Sequence, residues 1–345
     1  MERSDVYEWL LEEENPSVRY FTLTGLLGKK ENDAEVLEAK KAIMETGAVP
    51  QLLALQNDNG SWGEPGAFYG DKYHGTVWTL LLLAELAADP YDDRVRKACE
   101  FILSHSRHES GGFSVRENKK THMGLKSTVI PCLTGNMLWS LIRLGYADDP
   151  RISDSISWIT RHQRADDGFE RVPEGETEKR LFNACLGRHT CHMGAAKAMK
   201  ALAAIPPAKR NPEVRKKIDE LSEYFLIHHI YKKSHNLDEI SRPGWLNLSF
   251  PRMYQTDLLE LLTVFSDLGI KDPRLEDALL ILLRKRGADG KWLLEFSFNG
   301  KMNIQIEKKG RPSKWITLRA MKVLKFYGES ILRKVIPQPV YYNIE

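Results

Sequence analysis

Apolar positions recur along this chain at helical spacing, in two kinds of segment that alternate. Ala34 to Leu55 carries its apolar residues on one stripe, whereas His74 to Ala87 is apolar nearly all round. The first pattern predicts an outer helix with a wet face, the second an inner helix with none. Upstream, Ser4 to Glu14 reads as a short helix, and Asn15-Pro16-Ser17 opens a second from Val18 to about Leu27, the two forming one hairpin. Further outer helices are predicted near Asp93 to His105, Arg151 to His162, Asn211 to Tyr231 and Arg274 to Lys285. Their starts are marked by Asp89-Pro90, Asp149-Pro150, Asn211-Pro212 and Asp272-Pro273, because proline at a first turn lacks only a donor that would have no partner anyway. Inner helices are expected to begin near Ser17, Gly75, Gly135, Cys191, Gln255 and Ser313, about 60 residues apart, which gives six pairs.

A short motif punctuates these pairs. Gln56-Asn57-Asp58-Asn59-Gly60-Ser61-Trp62-Gly63 has weaker copies at Gln163-Arg164-Ala165-Asp166-Asp167-Gly168-Phe169, Arg286-Gly287-Ala288-Asp289-Gly290-Lys291-Trp292 and Ser110-Gly111-Gly112-Phe113. In each copy the glycine suits a turn with positive φ, and the aromatic folds back onto the preceding helix. The motif resembles the QW, or prenyltransferase and squalene-oxidase, repeat of terpenoid cyclases and protein prenyltransferase β-subunits. That resemblance implies an all-α fold, an (α/α)6 toroid of six inner and six outer helices, whose members in many cases act on isoprenoids in a central cavity. Residues 1–332 are then one toroid domain and 333–345 a C-terminal tail.

Composition narrows the function. In 345 residues, 42% are apolar and the formal net charge is +3, enough for a large core and too balanced for a dedicated nucleic-acid binder. The N-terminus lacks a secretory pattern, and apolar runs such as Leu80 to Ala84 are far below a membrane span, so a soluble cytoplasmic protein is expected. Four cysteines do not make a disulfide framework, which leaves metal binding, catalysis or burial.

The loops from outer to inner helices are long, and all fall on the rim where the inner helices begin, so the site is expected there. Helix N-termini at that rim favour anions, and the loop from Gly287 to Trp315 carries six basic against three acidic residues. Arg188, Arg252, Tyr254, Lys308, Lys309 and Arg311 are candidates for binding a diphosphate, with Asp257 a further ligand-binding candidate at the rim, although loop lysines and arginines are commonly only solvated. Trp78, Trp139 and Trp315, in the early turns of inner helices, are candidates to line an apolar pocket, with ordinary core packing as the alternative.

Cys132, Cys185 and Cys191, with His192 or His189, form a Cys₃His set suited to tetrahedral Zn²⁺, while Cys99 on an outer helix reads as core. Protein prenyltransferases hold zinc at this rim, but their Asp-x-Cys pattern is absent here. Thr190-Cys191-His192-Met193-Gly194 is similar to the Cys-His-Gly segment of lanthionine cyclases. Neither the Asp-x-Asp-Asp acid of class II terpenoid cyclases nor the aspartate-rich metal motif of class I synthases is present. The leading expectation is a prenyltransferase-like enzyme holding an isoprenoid or other apolar substrate, with zinc-thiolate chemistry. The alternatives are a lanthionine-cyclase-like zinc enzyme with a peptide partner, a carbohydrate-active toroid using carboxylates such as Glu64, Asp71, Glu170 or Asp257, and a non-catalytic scaffold with structural zinc.

Overall fold

The computed structural model describes residues 3–168, 178–187 and 189–328. Its elements are α1 (Arg3–Leu10), α2 (Pro16–Phe21, prolonged by a π-turn to Leu26), α3 (Ala34–Glu45), α4 (Ala48–Leu53), α5 (Thr76–Glu85), α6 (Asp93–His105) and α7 (Pro131–Leu141). There follow α8 (Pro150–His162), α9 (Lys179–Phe182), α10 (His192–Ala203), α11 (Pro212–Ile227), α12 (Leu258–Asp267), α13 (Glu276–Arg284) and α14 (Lys314–Tyr327). Among the described residues the only sheet is a small antiparallel pair, β1 (Lys232–Lys233) with β2 (Asn236–Ile240). The fold is all-α.

Among the described residues, six helices form an inner ring. In it α5 packs on α7, α7 on α10, α10 on α12, α12 on α14, and α14 back on α2. The Ser17 hydroxyl donates to the Leu86 carbonyl at 2.7 Å and ties α2 to the end of α5. Each inner helix also rests on an outer one: α2 on α3, α5 on α6, α7 on α8, α10 on α11, α12 on α13. The sixth outer helix is α1, which packs on α14. The expected α1–α2 hairpin is therefore corrected. Without α1, the apolar outer face of α14 would have no cover, so the first helix closes the ring on the last. The wholly apolar pattern of α5 is explained as well, since every one of its residues is buried.

The repeat turns hold as read. Gly60, Gly111, Gly168 and Gly290 all have positive φ. A second constraint acts on two of them: a Cβ on Gly60 would stand 2.6 Å from the Lys97 carbonyl oxygen of α6, and one on Gly111 2.3 Å from that of Asp154 in α8. The turn thus packs directly on the next outer helix. The aromatic then stitches both neighbours. Trp62 Nε1 donates to Leu52 O at 2.8 Å and Trp292 Nε1 to Leu282 O at 2.7 Å, back onto the preceding outer helix. The backbone N–H groups of Trp62, Phe113 and Trp292 donate to Thr76, Thr134 and Thr317, each in the first turns of an inner helix.

Two boundaries differ from expectation. The predicted helix from Ala34 to Leu55 breaks between α3 and α4, where Gly47 takes φ 77°. Asp89-Pro90 is not a cap: Asp92 accepts the Arg94 N–H and α6 starts at Asp93, three residues past the proline. Asp149, Asn211 and Asp272 do cap as read.

Candidate functional site

At the N-terminal mouth of the ring three cysteines gather. Cys191 is the N-cap residue of α10 but makes no side-chain cap hydrogen bond; its sulfur takes a hydrogen bond from the Cys185 thiol and has the Met193 and Gly194 N–H groups nearby. That bond from Cys185 is the largest influence on Cys191; against the cost of burial, and with help from the two backbone donors and Arg242, it lowers the thiol to about 6. The same hydrogen bond, with burial, pushes Cys185 up. Cys132, in the first turn of α7, is buried and close enough to feel the charge of Cys191; burial first and that charge second raise it to about 12.

Beside the thiols stands an ammonium in an aromatic cage. Lys72 Nζ lies 4.7 Å from the ring centre of Tyr69, 4.5 Å from Tyr254 and 5.5 Å from Trp78. No described carboxylate pairs with it. Burial lowers its pKa, and Cys132 works the other way. Trp78 is held by an Nε1 hydrogen bond to Tyr69 O at 3.0 Å and by an edge contact with Tyr73 at 5.2 Å.

The other expected site residues divide. Arg252 and Asp257 are buried and paired with each other; Asp257 also caps α12 through the Glu260 N–H at 2.7 Å, and Arg252 donates to Asn247 O. Their polar atoms serve the architecture. Lys308, Lys309 and Arg311 are exposed on the loop before α14. Arg188 lies outside the described residues, as does Glu170. His192 does not face the cysteines: its ring stacks on Trp245 at 3.8 Å and meets Phe225 edge-on at 4.9 Å, and burial, with His228 next, lowers it to about 3. His189 is exposed. Among the described residues no three His, Cys, Asp or Glu side chains are grouped to hold a metal ion, and no helix is long and apolar enough to cross a membrane.

Trp139 and Trp315 belong elsewhere. They line a central cavity of about 490 Å³ whose walls come from all six inner helices and include the last turns or C-terminal extensions of α2, α5, α7, α10 and α12. It therefore belongs to the opposite mouth from the thiols. Its floor is a buried charge network that sequence reading missed. The Lys197 ammonium contacts both Glu260 oxygens at 2.7 Å; Lys200 reaches Glu85 at 2.6 Å and Glu260 at 3.2 Å; Arg319 pairs with Glu85. Burial would raise both glutamates, yet the facing cations hold them below the ordinary carboxylate range, and burial lowers Lys197 to about 8 despite Glu260. The signal was present. Glu85, Lys197, Lys200 and Glu260 interrupt helices that are otherwise apolar all round, where a charge has to find a partner.

No protein-family model matches the chain, and no curated protein does either. Among solved structures, a protein from Actinoplanes is similar at 15% identity over 91% of this chain and 90% of that one, with a TM-score of 0.43. The type II terpene cyclase MstE from Scytonema, as a variant in complex with geranylgeranyl dihydroxybenzoate, is similar at 14% identity over 91% and 86%, with a TM-score of 0.41. Its ligand-free form gives 14% over 83% and 97%, with a TM-score of 0.34. At these scores the likeness says nothing of substrate, and the toroid rests on the helix packing itself.

Proposed function

We propose that this protein is a thiol-dependent enzyme of the toroid type that handles an apolar, isoprenoid-like substrate at the N-terminal mouth. The observation that supports this reading is the meeting of Cys185 and Cys191 over the start of α10, with Cys132 and the caged Lys72 beside them. Cys191 is the nucleophile, since the α10 donors stabilise its thiolate and Cys185 keeps the proton. Tyr69, Tyr73, Trp78 and Tyr254 offer π-faces to an apolar body. Lys308, Lys309 and Arg311 meet an anionic head group at the rim. Zinc belongs to the proposal through the chemistry of three thiols. The described side chains are not grouped to hold it, however, and no step is drawn through the metal. The Cys-His-Gly resemblance is weakened by the outward-facing His192 ring.

The test uses the full chain with geranyl diphosphate and geraniol, alongside metal analysis. Binding of the diphosphate, with consumption that is lost in Cys191→Ser at an unchanged unfolding midpoint, is the expected result. Zinc at one per chain, lost on Cys132→Ser, would add the metal. Consumption unaffected by Cys191→Ser would overturn the thiol reading, and no binding of either compound would favour a scaffold.

A further inference from the structure

The cavity at the opposite mouth has a chemistry of its own. Four cations, Arg143, Lys200, Arg319 and Lys322, and four carboxylates, Glu31, Glu85, Glu260 and Asp267, line it. Lys197, buried behind Glu260, adds a fifth cation to the network. Glu31 is drawn outward, accepting from the Tyr20 hydroxyl at 2.8 Å and facing Lys40. Arg143 and Asp267 are also exposed at the mouth, so the interior holds four cations, Lys197, Lys200, Arg319 and Lys322, against the two carboxylates Glu85 and Glu260.

These cations are not alike. Lys200 and Arg319 are fixed by carboxylates and by ring faces, Lys200 at 3.9 Å over Trp139 and Arg319 at 4.9 Å over Phe250. Arg143 lies 5.9 Å from the Phe21 ring centre, and the Lys322 stem runs past Gly25, where a Cβ would stand 3.1 Å from its Cδ. Neither Arg143 nor Lys322 has an ion pair or hydrogen bond to a described residue. Asp267 feels both only at longer range. A third donor, the buried Trp315 Nε1–H in the cavity wall, also has no acceptor. Lys322 is half-buried and Arg143 exposed at the mouth of this concavity, and cations without a carboxylate partner at a concave wall favour an anion, because a charge-assisted hydrogen bond gains strength as the ligand displaces water. The aromatic side chains of Phe21, Trp139 and Trp315 supply flat apolar wall, and the volume suits a molecule of one or two rings.

We propose that this cavity is a second ligand site, separate from the thiol mouth, that binds a small organic anion: a carboxylate or phosphate monoester carried on a flat apolar body. Arg143 and Lys322 hold the anionic group and the tryptophans take the body. The Lys197–Glu260 pair is the partition between the two sites, since Lys197 also acts electrostatically on Cys132.

Calorimetric titration of the full chain with phenyl phosphate, benzoate and benzyl alcohol tests this, with tryptophan fluorescence as a second readout. At least one anion should bind ten times or more tighter than the alcohol, and the preferred one names the head group. Arg143→Ala/Lys322→Ala should weaken that anion tenfold or more and leave the alcohol unchanged. Lys308→Ala/Lys309→Ala, which removes the same charge at the other mouth, should change neither. Should the first double variant fold poorly, Lys322→Met keeps the stem against Gly25 and should still weaken the anion at least threefold. Absence of binding by either anion, unchanged affinity in a folded Lys322→Met protein, or a loss caused by Lys308→Ala/Lys309→Ala instead, overturns the proposal.

Discussion

The two mouths of this toroid are built by different means. The N-terminal mouth is framed by long outer-to-inner loops, and its cysteines, caged lysine and tyrosines come largely from those loops and from the first residues of inner helices. At the opposite mouth the links are short, and the chemistry is carried by side chains within α5, α10, α12 and α14. Loop residues can exchange without disturbing the ring; a charge set inside an inner helix is tied to partners on two or three others. The first mouth is therefore where a thiol can be reactive. The second is where a ligand site and the stability of the ring share the same atoms.

The largest effect should come from breaking that shared network. Lys197→Met leaves the Glu260 carboxylate facing only Lys200, and removal of one member of a buried pair costs about 3–5 kcal/mol. Adding Glu260→Leu should restore most of it, because two apolar groups replace two desolvated ones. Denaturant midpoints of the three proteins check this, and a Lys197→Met protein as stable as the parent would remove the network from the account of the ring. The pH dependence carries the same information. Glu85 and Glu260 are held below their ordinary 4.5 by facing cations, so the unfolded chain takes up protons first and stability should fall as pH drops below about 4.5. Lys197 acts with the same sign in a higher pH range. Lowered from 10.5 to about 8, it makes the unfolded chain bind more protons between those values, and its contribution to stability should rise with pH across that window. Urea midpoints against pH would show the acid loss reduced in the Lys197→Met/Glu260→Leu protein.

At the other mouth the turn glycines should give the next largest effects. Gly60→Val must place a β-branched residue at φ 90° and drive its Cβ toward the Lys97 carbonyl, with an expected loss at the upper end of about 1–3 kcal/mol. Gly168→Ala meets no atom within 4 Å and should lose only the φ term, about 1 kcal/mol. Equal losses at both positions would mean that the contact with the next outer helix contributes nothing.

Sequence carried the ring well and the site unevenly, for a physical reason. Helix periodicity, proline starts and turn glycines are local, so the inner and outer segments and the rim of the turns could be read directly. The pairing of α1 with α14 was not legible as a local feature, since it joins the two ends of the described chain. Cys132, Cys185 and Cys191 could be grouped from their position on the rim, but the direction of the His192 ring depends on Trp245, whose place no spacing reveals. Trp139 and Trp315 lie on inner helices and line a cavity, but the depth of that cavity along the axis follows from how six helices pack and has no local signal. Arg252 and Asp257 had the charge of a ligand site and turned out to satisfy each other.

The smallest expected effect lies on the outside of the charged mouth, where a repeat that is not apolar can be tested. Arg151 forks between Asp149, the cap of its own helix, and Glu100 of α6, and Arg274 does the same between Asp272 and Glu223 of α11. Each clamp joins consecutive outer helices at equal sequence separation, 51 residues from glutamate to arginine. The geometry is bidentate, but the side chains are a third or more exposed and screened, so the coupling of each arginine with its distant glutamate should be about 0.3–1 kcal/mol. Double-mutant cycles on Arg151→Ala with Glu100→Ala and on Arg274→Ala with Glu223→Ala would measure it, and raising the salt concentration toward 1 M should remove most of it. A coupling that persisted in high salt would show that these pairs are drier than their exposure implies, and would move part of the ring's closure from its apolar core to its charged rim.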